Sequence, residues 1–303
     1  MIIIRLQGGL GNQLFQYALY LEFAARGREV KIDEVSGFVD DKQRRPVLRE
    51  YFGAVYQTAT PEEVADLRDA RMDLISRIRR FILGRKSREV TEPADGNFDP
   101  SILELTDAYL DGYWQSERYF PDPRVRAQLK ELLDLPRAQV ITGAVAMLLA
   151  DSISETESVS LHVRLGDYLW PGTAETHGGI CDGQYYRDAM ARIRKLYPEA
   201  EFYVFCLDKV WGREHFPTEE GFVVVDTGEE REDLVEFWLM SHCRHHILAN
   251  SSYSWWAAWL AEAIRTVAVD TRDLAPAGLV VAPSRWVNNK EMVDIYTERM
   301  IRV

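Results

Sequence analysis

The sequence predicts an α/β protein with parallel sheets, on three observations. Short apolar runs recur along the chain, helical patterns lie between several of them, and the first run leads through glycines into a helix. Short buried strands that alternate with helices are typical of βαβ units, whose strands are parallel. The predicted strands are residues 2–4, 159–163, 202–205, 223–225, 247–249, 267–269 and 279–282.

Four segments have the apolar period of a helix. The predicted helices are residues 13–26, 185–197, 233–243 and 252–264. The first ends at Gly27 and the second is stopped by Pro198, as helix ends commonly are. Residues 35–112 contain several prolines, so the sequence predicts a loop-rich segment there.

The chain has 303 residues and a formal net charge of −12, with 47% hydrophobic and 28% charged residues. This composition is typical of globular proteins, and the length favours two domains because single cores stop growing near ~250–300 residues. The acidic total argues against a general nucleic-acid binder, which needs a basic surface. A polar break at residues 151–158 predicts domains 1–155 and 156–303.

Cellular location is inferred from three further features. The three cysteines are widely spaced, no basic leader precedes the first strand, and the apolar runs are far shorter than the ~18 residues that span a bilayer. These features predict a cytoplasmic protein with reduced thiols.

A local basic cluster stands out against the acidic total. Its members are Arg68, Arg71, Arg77, Arg79, Arg80, Arg85, Lys86 and Arg88. The simplest interpretation is a solvated helix face. The alternative is a surface for anionic lipid or a lipid-linked substrate, which would hold the protein peripherally at the inner face of the membrane.

The first motif is RLQGGLGNQLFQYA, residues 5–18, in which a strand leads through a glycine turn into a helix. Gly8, Gly9 and Gly11 allow a ligand close to the backbone, and the helix N-terminus offers free N–H groups. The dinucleotide pattern G-x-G-x-x-G is not met, because Leu14 stands at its third glycine. An anion-binding loop and a plain structural turn both stay open.

The second motif is SLHVRLGDYL, residues 160–169, a strand whose carboxyl end carries His162, Arg164 and Asp167. Ligands bind at this end of the strands in open α/β sheets. The guanidinium of Arg164 is a rigid fork that suits a phosphate. The alternative is an Arg164–Asp167 surface pair, but polar residues ending an apolar strand favour a functional site.

The third motif is CRHHILANSSYSWWAAWLAEA, residues 243–263, where a short strand leads into a helix. Asn250, Ser251 and Ser252 are good N-cap residues whose polar groups can also bind phosphate oxygens. Plain helix capping is the alternative. The tryptophans of this helix, Trp255, Trp256 and Trp259, are expected in the core.

Several patterns for other chemistries are absent. His242, Cys243, His245 and His246 suggest zinc, but no second ligand pair has suitable spacing, so we reject that interpretation. The sequence contains no G-x-S-x-G, P-loop or H-E-x-x-H motif. It also lacks the D-x-D with which many sugar transferases hold a divalent cation, so no metal site is expected.

Taken together, GGLGNQLFQYA, LDGYWQSERYF, HVRLGDY and HHILANSSYSWWAAWL resemble the α-1,2-fucosyltransferases of glycosyltransferase family 11. The segments follow that family's order and spacing over residues 1 to ~260, and VVAPSRWVNN resembles its closing strand. Two departures are Leu165, where the family usually has arginine, and residues 265–278, which look longer than usual.

The resemblance implies a GT-B architecture, with two Rossmann-like domains facing across a cleft. Residues 1–155 would bind most of the acceptor and residues 156–303 would bind GDP-L-fucose. It also implies an inverting transfer of L-fucose from GDP-β-L-fucose to a hydroxyl, O2, of a terminal galactoside. The acceptor would be an oligosaccharide or a lipid-linked glycan, and no metal or other cofactor would be required.

The resemblance also assigns roles to individual residues. Carried over by motif, Arg164 contacts the β-phosphate of the donor, His162 lies beside guanine and ribose, and the two serines bind diphosphate. Glu236 stands where relatives place an acidic residue that reads guanine, and Asn12 approaches the reacting centre. The complete set for donor binding is Gly9, Gly11, His162, Arg164, Glu236, Asn250, Ser251 and Ser252.

The physics of the reaction fits these roles. Cleavage of a sugar–phosphate bond increases the charge on the diphosphate, and fixed cationic and N–H donors stabilise that charge. Asp167 is the candidate base by position, although it could instead orient Arg164. A phosphate oxygen of the donor could also take the proton late.

Three alternatives stay open at this point. The first is transfer from another nucleotide sugar or to another linkage, since no identified residue reads fucose itself. The second, an NAD-dependent oxidoreductase, rests only on the strand–glycine–helix start. The third is a non-catalytic carbohydrate-binding protein, suggested by 8 Trp and 14 Tyr.

Overall fold

The computed structural model describes residues 1–84, 86–164, 173–268 and 278–303. The chain divides into two compact units, Met1–Leu129 and Lys130–Val303. This division falls before the boundary at 155/156 that the sequence predicted. The reason is that the helix Ala144–Glu155 packs against the helix Glu232–His242, so its apolar face belongs to the core of the second unit.

The first unit is built on a parallel sheet. Its elements are β1 (Ile2–Arg5), α1 (Leu10–Ala25), β2 (Val30–Asp33), α2 (Leu48–Phe52), α3 (Pro61–Leu67), α4 (Leu74–Leu83), β3 (Glu89–Thr91), β4 (Ala108–Asp111) and the first part of α5 (Pro123–Leu133), whose last residues belong to the second unit, with 3₁₀ turns at Pro100–Glu104 and Glu117–Tyr119. Within the described residues the strand order is β2-β1-β4-β3, and each pairing is parallel. The three isoleucines of β1 are fully buried, which places β1 in the core.

The second unit is built on a larger parallel sheet. Its elements are α6 (Arg137–Val140), α7 (Ala144–Glu155), β5 (Ser158–Val163), α8 (Thr173–His177), α9 (Gly183–Leu196), β6 (Glu201–Cys206), α10 (Lys209–His215), a 3₁₀ turn at Thr218–Glu220, β7 (Phe222–Val224), α11 (Glu232–His242), β8 (His245–Ile247), α12 (Ser252–Ala268), β9 (Val280–Ala282) and β10 (Met300–Arg302). In the part of the chain that the structure describes, the strand order is β10-β9-β8-β5-β6-β7, again all parallel.

The predicted fold class is confirmed: the chain is α/β, and each unit has a parallel, Rossmann-like sheet as in GT-B proteins. The four predicted helices are all present within a few residues of their predicted ends. The predicted strand at 267–269 is wrong, because α12 continues through Ala268. Residue 269 lies outside the described residues.

Residues 35–112 contain more regular structure than the sequence indicated. Three short helices and the strands β3 and β4 lie in this segment. Both strands are short, and β3 includes Glu89 and no continuous apolar run, so the apolar pattern gave no signal for it. The prediction of a loop-rich segment is therefore wrong in part.

The strand order of the second unit determines where its polar motifs meet. β5 lies between β8 and β6, and all three strands run in the same direction. The residues that follow them therefore gather at one edge of the sheet, the edge at which open α/β sheets bind ligands.

Candidate active site

His162 lies near the carboxyl end of β5, where its ring is buried. The Tyr186 hydroxyl donates to the carbonyl oxygen of His162 at 3.0 Å, and the centre of the Tyr253 ring is 5.8 Å from that of the imidazole. Burial and the positive charges of Arg164 and Lys209 lower the pKa of His162 to about 3, so the ring is neutral at physiological pH. Within the described residues nothing hydrogen-bonds its buried Nδ1, which leaves that atom for a ligand.

Arg164 directly follows β5 and is half-buried. Its charge acts on the His162 ring and contributes to the lowered pKa of that ring. A half-buried guanidinium beside a neutral imidazole is well suited to an anion, because its fork matches two phosphate oxygens. The predicted base Asp167 and the departure at Leu165 lie outside the described residues.

Glu236, the predicted guanine reader, forms an ion pair with Lys209. The two side chains are only 13% and 14% exposed, and the ammonium also lies 3.4 Å from a carboxylate oxygen of Glu232. Burial raises the pKa of Glu236 to about 7, although the attraction of Lys209 opposes the rise. The carboxyl group therefore titrates close to neutral pH and has a cationic partner within the chain.

Lys209 was not identified from the sequence. This residue opens α10 immediately after β6, and Asp208 caps that helix by accepting from the backbone N–H of Trp211 at 2.9 Å. The available signal was its position, since Lys209 closely follows the predicted strand 202–205, and ligands bind at the edge where parallel strands end.

The N-terminus of α12 follows β8 at the same edge. Ser251 caps it: the serine Oγ accepts from the N–H of Tyr253 at 3.4 Å, and the serine carbonyl accepts from the N–H of Trp255 at 3.1 Å. Ser252 is the first helical residue and is half-buried. No acidic residue lies in the first turn, so the positive end of this long helix favours an anion.

Asn250 has a different environment from the two serines. Its amide Nδ2 donates to the carbonyl oxygens of His177 at 3.2 Å and Trp286 at 3.1 Å, and its Oδ1 accepts from Cys181 Sγ at 3.5 Å. Both ends of the buried carboxamide are therefore engaged within the chain. These contacts favour a positioning role for the Asn250 side chain rather than the predicted contact with diphosphate.

The glycine loop of the first unit lies at the carboxyl end of β1. Gly8 has a φ of +78°, and a Cβ there would lie 2.7 Å from Asn12 Nδ2, so only glycine fits. Gly9 is the N-cap of α1, and space is open beside it, whereas Gly11 is buried in the first turn. Asn12 Oδ1 accepts from Gln115 Nε2 at 2.7 Å, which joins the glycine loop to the segment LDGYWQSERYF, residues 110–120.

Two buried glutamines of α1 hold this loop, and the sequence analysis gave them no role. Gln13 Nε2 donates to the carbonyl of Gly8 at 2.9 Å, and its Oε1 accepts from the N–H of Val47 at 3.0 Å. Gln16 Nε2 donates to the carbonyl of Gly112 at 3.0 Å. Glutamines on the apolar face of a predicted helix were the available signal, because buried amides need partners.

A cluster of polar side chains at the carboxyl ends of β1 and β4 was also not identified from the sequence. Asp111 accepts from Arg5 Nη1 at 2.8 Å and from Gln7 Nε2 at 3.0 Å. Arg5 also donates to the carbonyl of Ser36 at 3.0 Å. The three side chains of this network, Arg5, Gln7 and Asp111, are half-buried and offer fixed hydrogen-bonding groups at the ligand edge of the first sheet.

The tryptophans and histidines of the third motif are structural. The three tryptophans of α12 are buried, as predicted. His245 is buried at the start of β8, where its Nε2 lies 2.6 Å from a Glu157 carboxylate oxygen and its Nδ1 accepts from the N–H of Leu279 at 2.9 Å.

Among the residues described, no group of three or more His, Cys, Asp or Glu side chains could hold a metal. The metal independence of the reaction stays a prediction.

The sequence model described as Glycosyl transferase family 11 matches residues 101–276, more than half of the chain. The chain belongs to glycosyltransferase family 11. It is therefore a glycosyltransferase, and the matched residues include the His162 strand, Lys209, Glu236 and the start of α12.

Named relatives of this chain match it over different lengths. An Escherichia coli protein named alpha-1,2-colitosyltransferase is 29% identical over 100% of this chain and 98% of its own length. The O-antigen biosynthesis glycosyltransferase WbnK of the same organism is 28% identical over 96% of this chain and 97% of its own. The pig galactoside alpha-(1,2)-fucosyltransferase 1 is 34% identical over 34% of this chain and 28% of its own.

Among solved structures, the fucosyltransferase NodZ from Bradyrhizobium has 16% sequence identity, with a TM-score of 0.46. The match covers 84% of this chain and 90% of that one. Among the described residues of the family 11 chain, no helix is long and apolar enough to cross a membrane.

Proposed function

We propose that this family 11 chain transfers L-fucose from GDP-β-L-fucose, with inversion, to O2 of a terminal galactoside, forming an α-1,2 linkage. The observation that carries the proposal is the convergence of Arg164, His162, Lys209 and the N-terminus of α12 at one edge of the second sheet. Such a group of donors suits a sugar bound through a diphosphate.

Departure of GDP is the step that this edge would assist. Negative charge grows on the β-phosphate as the glycosidic bond breaks, so donors already fixed at that position lower the barrier. In the proposal Arg164 and the N–H groups at the start of α12 receive this charge. His162 stays neutral beside them, and its Nδ1, which has no hydrogen-bond partner among the described residues, can bond to the donor.

Guanine would be bound by Glu236. The N1–H and exocyclic amine of guanine are adjacent donors, and a carboxylate accepts from both. Lys209 favours the carboxylate form of Glu236, since its positive charge opposes the rise in pKa caused by burial. The ion pair therefore supports the role that the resemblance assigns to Glu236.

The acceptor would be bound mainly by the first unit. Asn12, fixed by Gln115, and the group of Arg5, Gln7 and Asp111 supply hydrogen-bonding side chains at the ligand edge of its sheet. Sugar hydroxyls are recognised by such fixed donors and acceptors. In the proposal Asp167 or a phosphate oxygen of the donor takes the proton of the acceptor hydroxyl.

The natural acceptor would be a lipid-linked glycan, used at the inner face of the membrane. A relative similar over nearly its whole length is named for O-antigen biosynthesis, which favours a glycan of that kind. No cofactor and no divalent cation is part of the proposal, because Arg164 and the helix terminus supply the positive charge.

A second candidate is transfer of colitose in place of fucose. The observation that favours it is the full-length similarity to an alpha-1,2-colitosyltransferase. Colitose differs from L-fucose by the absence of one hydroxyl group, at C3. A site that hydrogen-bonds that hydroxyl discriminates strongly against the sugar without it, whereas an apolar site does not.

Purified protein should be incubated with a galactoside panel and, in separate reactions, with GDP-L-fucose, GDP-colitose and other nucleotide sugars. We expect GDP-L-fucose to give the largest kcat/KM and linkage analysis to place fucose on O2 of galactose. A larger kcat/KM with GDP-colitose establishes the second candidate. Binding of galactosides without transfer from any donor would contradict both and favour a carbohydrate-binding protein.

A further inference from the structure

Helix α4 contacts the rest of the first unit through its polar side. Arg79 of α4 forms an ion pair with the buried Asp69, whose carboxylate also accepts from the N–H of Lys86 at 2.7 Å. Ser76 and Arg79 line an open cavity of ≈ 690 Å³, together with Arg71, Lys86 and Arg88. The polar face of α4 is thus turned toward the protein.

The apolar face of α4 is turned to solvent. Its side chains are Leu74, Ile75, Ile78, Phe81 and Ile82, all of them exposed. At 3.6 residues per turn this spacing forms one stripe about 120° wide, with Arg77 and Arg79 at its two borders. Phe81 is 92% exposed and Ile75 is 81% exposed. Helices of globular proteins normally bury such a stripe, so its exposure indicates that another molecule covers it.

The charge around α4 indicates what the occupant is. Residues 74–88 contain six Arg or Lys residues and no Asp or Glu, in a chain whose formal net charge is −12. Arg71, Arg79 and Arg88 are paired with Asp66, Asp69 and Asp107. Arg77 is exposed at the border of the stripe, and Lys86 is exposed just beyond the end of α4, so the surface near the stripe is cationic.

We propose that α4 docks this protein on an anionic lipid bilayer. The apolar stripe would lie among the acyl chains at the interface, while Arg77 at its border contacts the headgroups. A second copy of the chain is a poorer occupant, because pairing two such faces brings their cations together. The proposal also changes the interpretation of the basic cluster: several of its arginines are paired internally, and the apolar stripe carries the docking.

The test is sedimentation of the full-length protein with large vesicles. One set contains phosphatidylcholine alone, and the other contains equal amounts of phosphatidylcholine and phosphatidylglycerol. We expect the wild type to bind the anionic vesicles and to bind the neutral ones far more weakly. Because burial of one large apolar side chain changes an equilibrium by about tenfold or more, Ile75→Gln and Phe81→Gln should each lower the partition coefficient at least about tenfold.

The matched control is Val55→Gln in the same unit, since Val55 is 82% exposed and lies outside α4. It should bind as the wild type does. Arg77→Gln should weaken binding to anionic vesicles only. Transfer to a soluble galactoside should be unchanged in all these variants, which separates this test from the proposed function.

Three outcomes would overturn the proposal. The first is a wild type that does not sediment with anionic vesicles, and the second is equal loss of binding in Val55→Gln and Phe81→Gln. The third is a vesicle-free dimer, seen by analytical ultracentrifugation, that Phe81→Gln dissociates, because the occupant would then be a second copy of the chain.

Discussion

Lys209 and Glu236 form a mostly buried ion pair beside the carboxyl edge of the second sheet. One residue opens the helix after β6, and the other lies on α11, so the pair joins two helices next to the His162 ring. Burial raises the pKa of Glu236 to about 7, and Lys209 opposes that rise. The charge state of this edge therefore changes within the physiological pH range.

GDP affinity is expected to depend on the carboxylate form of Glu236. With a pKa of about 7, the deprotonated fraction rises about tenfold between pH 6 and pH 8, so the Kd for GDP should fall by up to that factor. In Glu236→Gln this part of the pH dependence should disappear and affinity should be lower throughout. Isothermal titration at several pH values measures both.

Two comparisons isolate the effect of Glu236. GDP itself titrates near neutral pH, so the ratio of wild-type to Glu236→Gln affinity, which cancels that contribution, is the quantity to plot. Lys209→Met should move the rise in affinity to higher pH, because removal of the cation raises the pKa of Glu236 further. Identical pH profiles for wild type and Glu236→Gln would remove Glu236 from the guanine site.

His162 should make the protein less stable in mild acid. The unfolded state binds a proton at this residue near pH 6.5, whereas folded His162 stays neutral down to about pH 3. The contribution of neutral His162 to the free energy of unfolding is therefore complete above pH 6.5. It is lost as the pH falls, by on the order of 2 kcal/mol between pH 7 and pH 5. Urea unfolding of wild type and His162→Asn at both pH values measures the difference.

The expected result is a smaller loss of stability on acidification in His162→Asn than in wild type. His215→Asn is the control, since it removes an exposed ring elsewhere on the same unit. An unchanged loss in His162→Asn would mean that the buried imidazole takes up its proton in the folded state.

Asn250→Ala should lower stability more than it lowers donor binding. The substitution leaves the carbonyl oxygens of His177 and Trp286 without the donor that they now have, and each lost bond costs about 1–3 kcal/mol. Ser252→Ala should have the opposite pattern, with a small change in stability and weaker competition by inorganic diphosphate. Thermal unfolding and diphosphate inhibition of both variants test this. Normal stability with weakened diphosphate binding in Asn250→Ala would restore the role that the sequence suggested.

The sequence predicted those parts of the fold that depend on local pattern. Short apolar, β-favouring segments marked β1, β5 and β6, and the 3.6-residue period marked α1, α9, α11 and α12, because both patterns reflect burial. The placement of polar residues after β5 and β8 followed from the same patterns, since parallel strands end at a common edge. That edge is where the structure brings His162 and Ser251.

Other features depend on contacts between distant residues, which a local pattern does not record. Lys209 lies near His162 only because β6 pairs with β5. The amide of Asn250 has the Trp286 carbonyl as a partner only because the chain after β9 brings Trp286 next to it. The orientation of α4 could not be read either, because the sequence defines an apolar stripe but not the side that faces the protein. The ion pair of Arg79 with the buried Asp69 shows that the polar side faces the protein.

Transfer should continue without a divalent cation. The expectation rests on the absence of a D-x-D motif and on the presence of Arg164 and the α12 terminus as alternative sources of positive charge. Initial rates in excess EDTA should equal those in magnesium within a factor of about two. Loss of activity in EDTA that magnesium or manganese restores would contradict the expectation.

Arg164→Ala should lower kcat by about 10²–10³, because it removes a fixed donor at the position where charge develops. GDP-fucose binding should fall less than turnover, since the interaction strengthens as the bond to the β-phosphate breaks. Arg187→Ala is the control: Arg187 is an exposed arginine of the same unit whose Nη2 donates to Gln184 Oε1. Its kcat should stay at the wild-type value.

Arg164→Lys separates charge from geometry at this position. A lysine keeps the positive charge but lacks the planar fork that holds two phosphate oxygens at once, so it should recover only a small part of the lost kcat. The resemblance implies an arginine at position 165 in most members of the family, so with Leu165 there we expect Arg164 to carry more of this charge. Circular dichroism must show that both variants are folded. If folded Arg164→Ala kept kcat within a few-fold of wild type, Arg164 would be a surface residue without a catalytic role, and the charge on the departing diphosphate would have to be met by the start of α12 and by Lys209.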